Sequence, residues 1–234
     1  MNEIIFLVGL TAVGKTSSVN ALRANDYKLL PNRRELTDLI IIPELQKEMG
    51  LPIEPVRDRL KRFEMTAKYR SRHPGGIVAA LQQYLTSLPK ANYIFDNIRG
   101  KNELKAAYES IKNARFVFLD APFEIRLQRL IKRKDDFDTV RGSAAGELLE
   151  ELKSVDKAAE IFNLQELAKS DFEKNSLLNA VRIIASEYKN YDSKAAKEYL
   201  MTLEKRKYIY LDTSKNTVEQ VSEKIERFLH GQDS

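Results

Sequence analysis

The chain has 234 residues, a formal net charge of +5 at pH 7 and no cysteine. Without Cys there is no disulfide framework and no Cys-based zinc site, and with His73 and His230 as the only histidines a His-based metal site is not expected. A hydrophobic fraction of 43% beside 31% charged residues excludes a disordered chain and fits one large domain, or a domain carrying a substantial insertion.

The N-terminus runs straight into an apolar stretch carrying Glu3, which is not the pattern of a secretory signal. No apolar run is long enough to cross a bilayer, so the expectation is a cytoplasmic protein without membrane association. The charge is unevenly spread. Residues 135–205 hold ten Lys/Arg against fifteen Asp/Glu, so the rest of the chain carries a net +10. That excess favours a phosphate-rich ligand near the N-terminal part, and nucleic acid remains a possible partner without being favoured.

In chain order, Ile4-Ile5-Phe6-Leu7-Val8 is a short, wholly apolar run that predicts a buried parallel strand. Gly9-Leu10-Thr11-Ala12-Val13-Gly14-Lys15-Thr16 follows directly, and Ser17 to Leu22 reads as a helix. Strand, glycine-bounded loop, Lys-Thr and helix make up the phosphate-binding P-loop. The glycines permit a tight turn whose N–H groups face an anion, and the helix N-terminus adds its dipole. Gly9, Thr11, Ala12, Val13, Gly14, Lys15, Thr16 and Ser17 are therefore expected to hold a nucleotide. Lys15 would reach the outer phosphates and Thr16 would ligate Mg²⁺.

Tyr27 to Leu30 predicts a short second strand, ended by Pro31-Asn32 and followed by Arg33 and Arg34. Thr37 to Gly50 is partly helical, broken or restarted at Pro43. Val56, Leu60, Phe63 and Ala67 keep the spacing of a buried helix face, with basic residues opposite. Arg70 and Arg72 stand where that helix ends, beside His73-Pro74-Gly75-Gly76, a candidate second anion site. Ile77 to Leu88 is another amphipathic helix.

Tyr93-Ile94-Phe95 is the core of a third strand, with Asp96 at its C-terminal end and Arg99 three residues on. In open parallel α/β sheets that edge is where ligands bind. An acid there can hold the Mg²⁺ shell or take a proton from an acceptor hydroxyl. Asn102 to Lys112 reads as a helix and Arg115 to Asp120 as the fourth strand. The next helix, started by Pro122, carries Arg126, Arg129 and Arg133, of which Arg129 and Arg133 share a face. Arg126 reads as part of a charged surface. From Asp138 to Lys205 the periodicity is helical, with stripes at Leu177, Leu178, Val181 and Ile184 and at Tyr199, Leu200 and Leu203, and a break near Asn190 to Ser193. Lys207 to Asp212 is the fifth strand and Thr217 to Leu229 the closing helix. Strands alternating with helices imply right-handed crossovers and a parallel sheet covered on both faces.

The P-loop, the strand ending Ile94-Phe95-Asp96-Asn97-Ile98-Arg99, the pattern Arg129-Leu130-Ile131-Lys132-Arg133 before Asp135-Asp136, and the last strand-helix pair resemble the nucleoside monophosphate kinase-like family, close to adenylate kinases and dephospho-coenzyme A kinases. The resemblance implies an α/β fold: a three-layer α/β/α P-loop NTPase with a five-stranded parallel sheet in the order 2-3-1-4-5. Residues 1–134 and 206–234 would form the kinase core, with 33–88 as an acceptor-binding helical region and 135–205 as a helical insertion in the lid position. It further implies ATP and Mg²⁺ as cofactors and a small-molecule phosphate acceptor.

On the matching positions, Lys15, Asp96, Arg129 and Arg133 would be catalytic, with Thr16 and Asp96 toward the metal. Arg33, Arg34, Arg70, Arg72 and Arg99 would bind the acceptor, Arg141 would be a further lid arginine, and Asp212-Thr213-Ser214 would lie near the adenine. Asn97 departs from the family's glycine after the strand-end acid, and the long helical insertion departs from its lid. Thr11 to Thr16 is also similar to the P-loop of tRNA dimethylallyltransferases, but Leu30-Pro31-Asn32-Arg33-Arg34 stands in place of that family's Asp-Ser-x-Gln-x-Tyr element. The expected activity is ATP-dependent phosphoryl transfer to a nucleoside monophosphate or dephospho-coenzyme A type acceptor. The alternatives are a nucleotide-dependent switch that binds nucleic acid or protein, and a kinase of a non-nucleotide acceptor. The sequence does not speak to oligomeric state.

Overall fold

The computed structural model describes residues 3–132 and 180–232, apart from residues 182 and 189 and the side chains of residues 59, 60 and 63. Five parallel strands form one sheet: β1 (Ile4–Val8), β2 (Lys28–Leu29), β3 (Tyr93–Ile98), β4 (Ala114–Asp120) and β5 (Tyr208–Asp212). Their order is β2-β3-β1-β4-β5, the order that the family resemblance implies. Every residue of β1 is buried, because helices cover both faces of the sheet.

One face carries Ile4, Phe6 and Val8 of β1 with Phe95, Ile98, Phe116 and Phe118. It is covered by α3 (Ile42–Glu48), α4 (Arg59–Arg72), α5 (Ile77–Leu85), α6 (Lys101–Ser110) and the later helix α8 (Ser193–Met201). The other face, with Ile5, Leu7, Ile94, Val117 and Leu119, is covered by α1 (Lys15–Arg23) and the last helix, α9 (Val218–Leu229). The strand order reverses around β1, whose neighbours are β3 and β4. The crevice at the C-terminal end of β1 is therefore the topological switch point, and the glycine-bounded loop leaves the sheet there.

Two local departures from a regular pattern position the site. First, β1 and β3 run in register from Ile4 opposite Tyr93 to Phe6 opposite Phe95, but Val8 lies opposite Ile98. One extra residue is therefore inserted in β3 at Asp96-Asn97, a bulge that puts Phe95 and Ile98 on the same face. Bulges re-aim side chains, and this one sits where the strand-end acid was expected. Second, a short helix α2 (Arg33–Leu36) passes into a π-turn over Thr37–Ile41 and then into α3 without a break. Pro43 does not break the helix. It occupies the first turn of α3, where its missing N–H costs least, and the wide turn before it is closed by the Ile42 N–H donating to Thr37 O.

The buried stripe of α4 includes Met65 and Tyr69. α7 (Phe123–Lys132) packs Phe123, Leu127 and Leu130 against Ala180, Val181 and Ile184, which lie on a helical stretch that continues through residues 183–188. After the expected break, the Asp192 side chain accepts from the Ala195 N–H and caps α8. α8 sends Ala196 and Leu200 into the main core, joined there by Leu203 just beyond its end. Residues 133–179, and with them the expectations placed on Arg133 and Arg141 and on most of the insertion, lie outside the described residues. Among the described residues no helix is long and apolar enough to cross a membrane.

Candidate active site

The loop between β1 and α1 is shaped by backbone conformation. Gly9 has φ +145° and Gly14 φ +98°, and Ala12 between them also has positive φ, +65°. At Gly9 both demands on a glycine are present. A Cβ there would stand 2.4 Å from Leu119 O and 2.9 Å from Val13 Cγ2, so only a hydrogen fits. Gly14 precedes α1, whose N-terminus has no side-chain cap. Its first N–H groups and its dipole are thus directed into the hollow of the loop.

Lys15 folds back over this hollow and donates to Gly9 O at 2.9 Å and Leu10 O at 2.6 Å. Its ammonium pKa is lowered from 10.5 to about 7, first by burial and then by the Arg99 guanidinium, with Arg126 adding to the repulsion. Glu187 and Asp96 pull in the other direction. Lys15 is therefore the point where the charges of Asp96, Arg99, Arg126 and Glu187 converge. The sequence pointed to Lys15, Asp96 and Arg99. It did not point to Arg126 or Glu187.

Arg126 is not on a charged surface. It is 2% exposed, its Nε donates to Thr11 O at 2.9 Å and its Nη2 to Glu187 Oε2 at 2.5 Å. Its position was readable: Arg126 lies three residues after Phe123 and four before Leu130, on the helix's apolar stripe, and a charge on such a stripe calls for a partner. Glu187 likewise lies three residues beyond Ile184 on the stripe of Val181 and Ile184 and is 4% exposed. Its carboxylate accepts from the Thr11 N–H at 2.9 and 3.1 Å and from the Thr11 hydroxyl at 2.5 Å, with Arg99 Nη1 3.3 Å away.

Arg129 reaches the far wall of the loop, donating to Ala12 O at 3.0 Å and to the Thr213 hydroxyl and carbonyl at 2.8 Å each. Thr16 is exposed and Ser17 half-buried on the first turn of α1. Asp96 accepts from Asn97 Nδ2 at 2.8 Å. A hydroxyl at Thr16 and a carboxylate at Asp96 fit Mg²⁺, which is bound by one or two protein oxygens together with substrate phosphates and water. Among the described residues there is no cluster of three or more metal-ligating His, Cys, Asp or Glu side chains.

The arginines expected at an acceptor are placed differently from one another. Arg33 turns to Glu103 and lies 3.4 Å from Asn97 O. Arg34 lines a cavity of about 600 Å³ together with Asp38, Arg57 and Arg62. Arg70 is exposed, its stem 3.7 Å from where a Gly76 Cβ would stand. Arg72 pairs with Glu48 in a half-exposed contact.

No family model matches the sequence, and no curated protein matches it. Among solved structures the chain is similar to shikimate kinase from Aquifex aeolicus vf5, at 18% identity over 98% of this chain and 97% of that one, with a TM-score of 0.39. It is similar to shikimate kinase from Bacteroides thetaiotaomicron at 12% identity over 97% and 98%, TM-score 0.43. Deoxyadenosine kinase from M. mycoides with bound dATP aligns at 12% identity over 97% and 99%, TM-score 0.41.

Proposed function

We propose that this protein is an ATP-dependent phosphotransferase that moves the γ-phosphoryl group to a small nucleotide-like acceptor. The observation that carries the reading is Lys15, folded over a loop that requires glycine at position 9 and met by Asp96, Arg99 and Arg126 at the switch point of a parallel sheet. A loop of inward-facing amides at a helix N-terminus binds phosphates, and added cations stabilise the charge that spreads over a moving phosphoryl group.

In this reading the acceptor oxygen, a phosphate oxygen of a nucleoside monophosphate or the hydroxyl of a dephospho-coenzyme A type acceptor, attacks the γ-phosphorus, the bond from that phosphorus to the β–γ bridging oxygen breaks, and ADP leaves. Asp96 receives the proton of a hydroxyl acceptor or orients the metal's water shell. Mg²⁺, held by Thr16 and Asp96, would neutralise the β- and γ-phosphate charge. Lys15 and the arginines hold the phosphates in line, Arg129 from the base of the lid segment. The cavity beside Arg34 is a candidate acceptor pocket, since its three arginines suit an anionic group.

The test is ADP release with Mg-ATP and a panel of nucleoside monophosphates, dephospho-coenzyme A and non-nucleotide alcohols. The reading expects ADP only with the right acceptor. Acceptor-independent, slow hydrolysis across the whole panel, together with salt-sensitive oligonucleotide binding, would favour a nucleotide-dependent switch instead.

A further inference from the structure

The Glu187 carboxylate has the surroundings of a bound anion. Oε1 faces the Thr11 N–H, the Thr11 hydroxyl and Arg99, while Oε2 faces Thr11 N–H and Arg126. One backbone amide, one hydroxyl and two guanidinium groups are what a phosphoryl group asks for, since guanidinium pairs with carboxylate and phosphate through the same fork of donors. The carboxylate is nearly fully buried, and it sits on the same loop that the proposed nucleotide uses. The Nε of Arg99 is buried and meets no hydrogen-bond partner among the described residues, so this guanidinium has donor capacity beyond its contact with Glu187.

The segment carrying Glu187 is positioned by packing on both sides. Val181 and Ile184 hold it against α7, and Tyr191, one turn further on, lies over Arg99 with its ring centroid 5.5 Å from the guanidinium carbon and over Arg33 at 6.0 Å. The same stretch thus fills the anion cradle and roofs two of the arginines next to it.

We infer that Thr11, Arg99 and Arg126 form a phosphoryl subsite that Glu187 occupies as an internal anion, and that the terminal phosphoryl group of a bound triphosphate takes its place. The inference rests on the reading of Gly9 to Thr16 as a triphosphate site. Two anions cannot share these donors at close range, because like charges in a buried site repel strongly. Nucleotide binding therefore carries the cost of moving Glu187 out, and it draws the segment of residues 183–191 away from the loop.

The sign of a substitution separates this from a purely structural role. Glu187→Gln keeps the shape and removes the charge, leaving Arg126 short of an anion. Calorimetric titration with Mg-ATP, and separately with inorganic tripolyphosphate, is expected to give binding about tenfold tighter than in the unsubstituted protein. A second measurement uses the unsubstituted protein alone. Amide hydrogen exchange in residues 183–191 is expected to speed up on adding Mg-ATP while exchange in residues 9–16 slows. Equal or weaker binding by Glu187→Gln, or slower exchange in residues 183–191, overturns the inference and leaves the triphosphate site standing. Absence of binding by both proteins, with either probe, overturns the two together.

Discussion

Arg129 holds Thr213 at two points, its Nη1 2.8 Å from the hydroxyl and its Nη2 2.8 Å from the carbonyl. The Thr213 hydroxyl in turn lies 3.0 Å from Val13 O, so one threonine joins α7, the end of β5 and the glycine-bounded loop after β1. Thr213→Val keeps the shape but leaves the Val13 carbonyl and one Arg129 N–H without this partner. The expected cost is about 1–3 kcal/mol of stability, read from urea unfolding midpoints. A midpoint unchanged from the parent would mean that the contact contributes nothing.

Gly9→Ala tests the shape of the loop. The added methyl meets Leu119 O and a backbone φ of +145° that L side chains rarely adopt. Strain and overpacking together predict a loss of about 3 kcal/mol or more. The expected readouts are a lower unfolding midpoint and loss of Mg-ATP binding.

Lys15 gives a pH dependence with a definite sign. Its pKa in the free protein is lowered to about 7, whereas a bound triphosphate would favour the charged form. Above pH 7 binding must then take up a proton, so affinity falls as pH rises from 7 toward 9. Calorimetry at pH 8 in buffers of different ionisation enthalpy should show the uptake. For stability the sign is opposite: the unfolded chain binds this proton between pH 7 and 10.5 and the folded one does not, so this group's contribution to stability rises with pH over that window. Lys15→Met should abolish both effects.

Arg126 and Glu187 form a buried ion pair, 2% and 4% exposed. Arg126→Met leaves the carboxylate without its main counter-charge and should cost about 3–5 kcal/mol. Adding Glu187→Gln to it should recover part of that loss, so the double substitution costs less than the two singles combined. Additive losses in urea unfolding would contradict the pairing.

These same residues mark what the sequence could and could not reveal. The strand-loop-helix around Gly9 to Thr16 is local, and its apolar run and glycines are enough to place it. The sheet order was implied by the family resemblance and is the order observed. The bulge at Asp96-Asn97 was not legible, because an inserted residue in a strand leaves no trace in an apolar-polar pattern that is already ending. Arg126 and Glu187 were each readable as charges on apolar stripes, but their pairing spans 61 residues, and that of Glu187 with Thr11 spans 176. Periodicity says that such a residue needs a partner and does not say which one. Arg70 and Arg72 cluster in sequence, and in the fold Arg72 pairs with Glu48 in a half-exposed contact that no local pattern announces.

A triphosphate seated in the loop under Lys15 makes that lysine necessary for nucleotide affinity. Equilibrium titration of the intact protein and of Lys15→Met with Mg-ATP tests it most directly, with far-UV circular dichroism checking that both are folded. Saturable, 1:1 binding by the parent and a loss of at least about tenfold in affinity for Lys15→Met are expected. Absence of binding by the folded parent, or equal binding by both proteins, would contradict it.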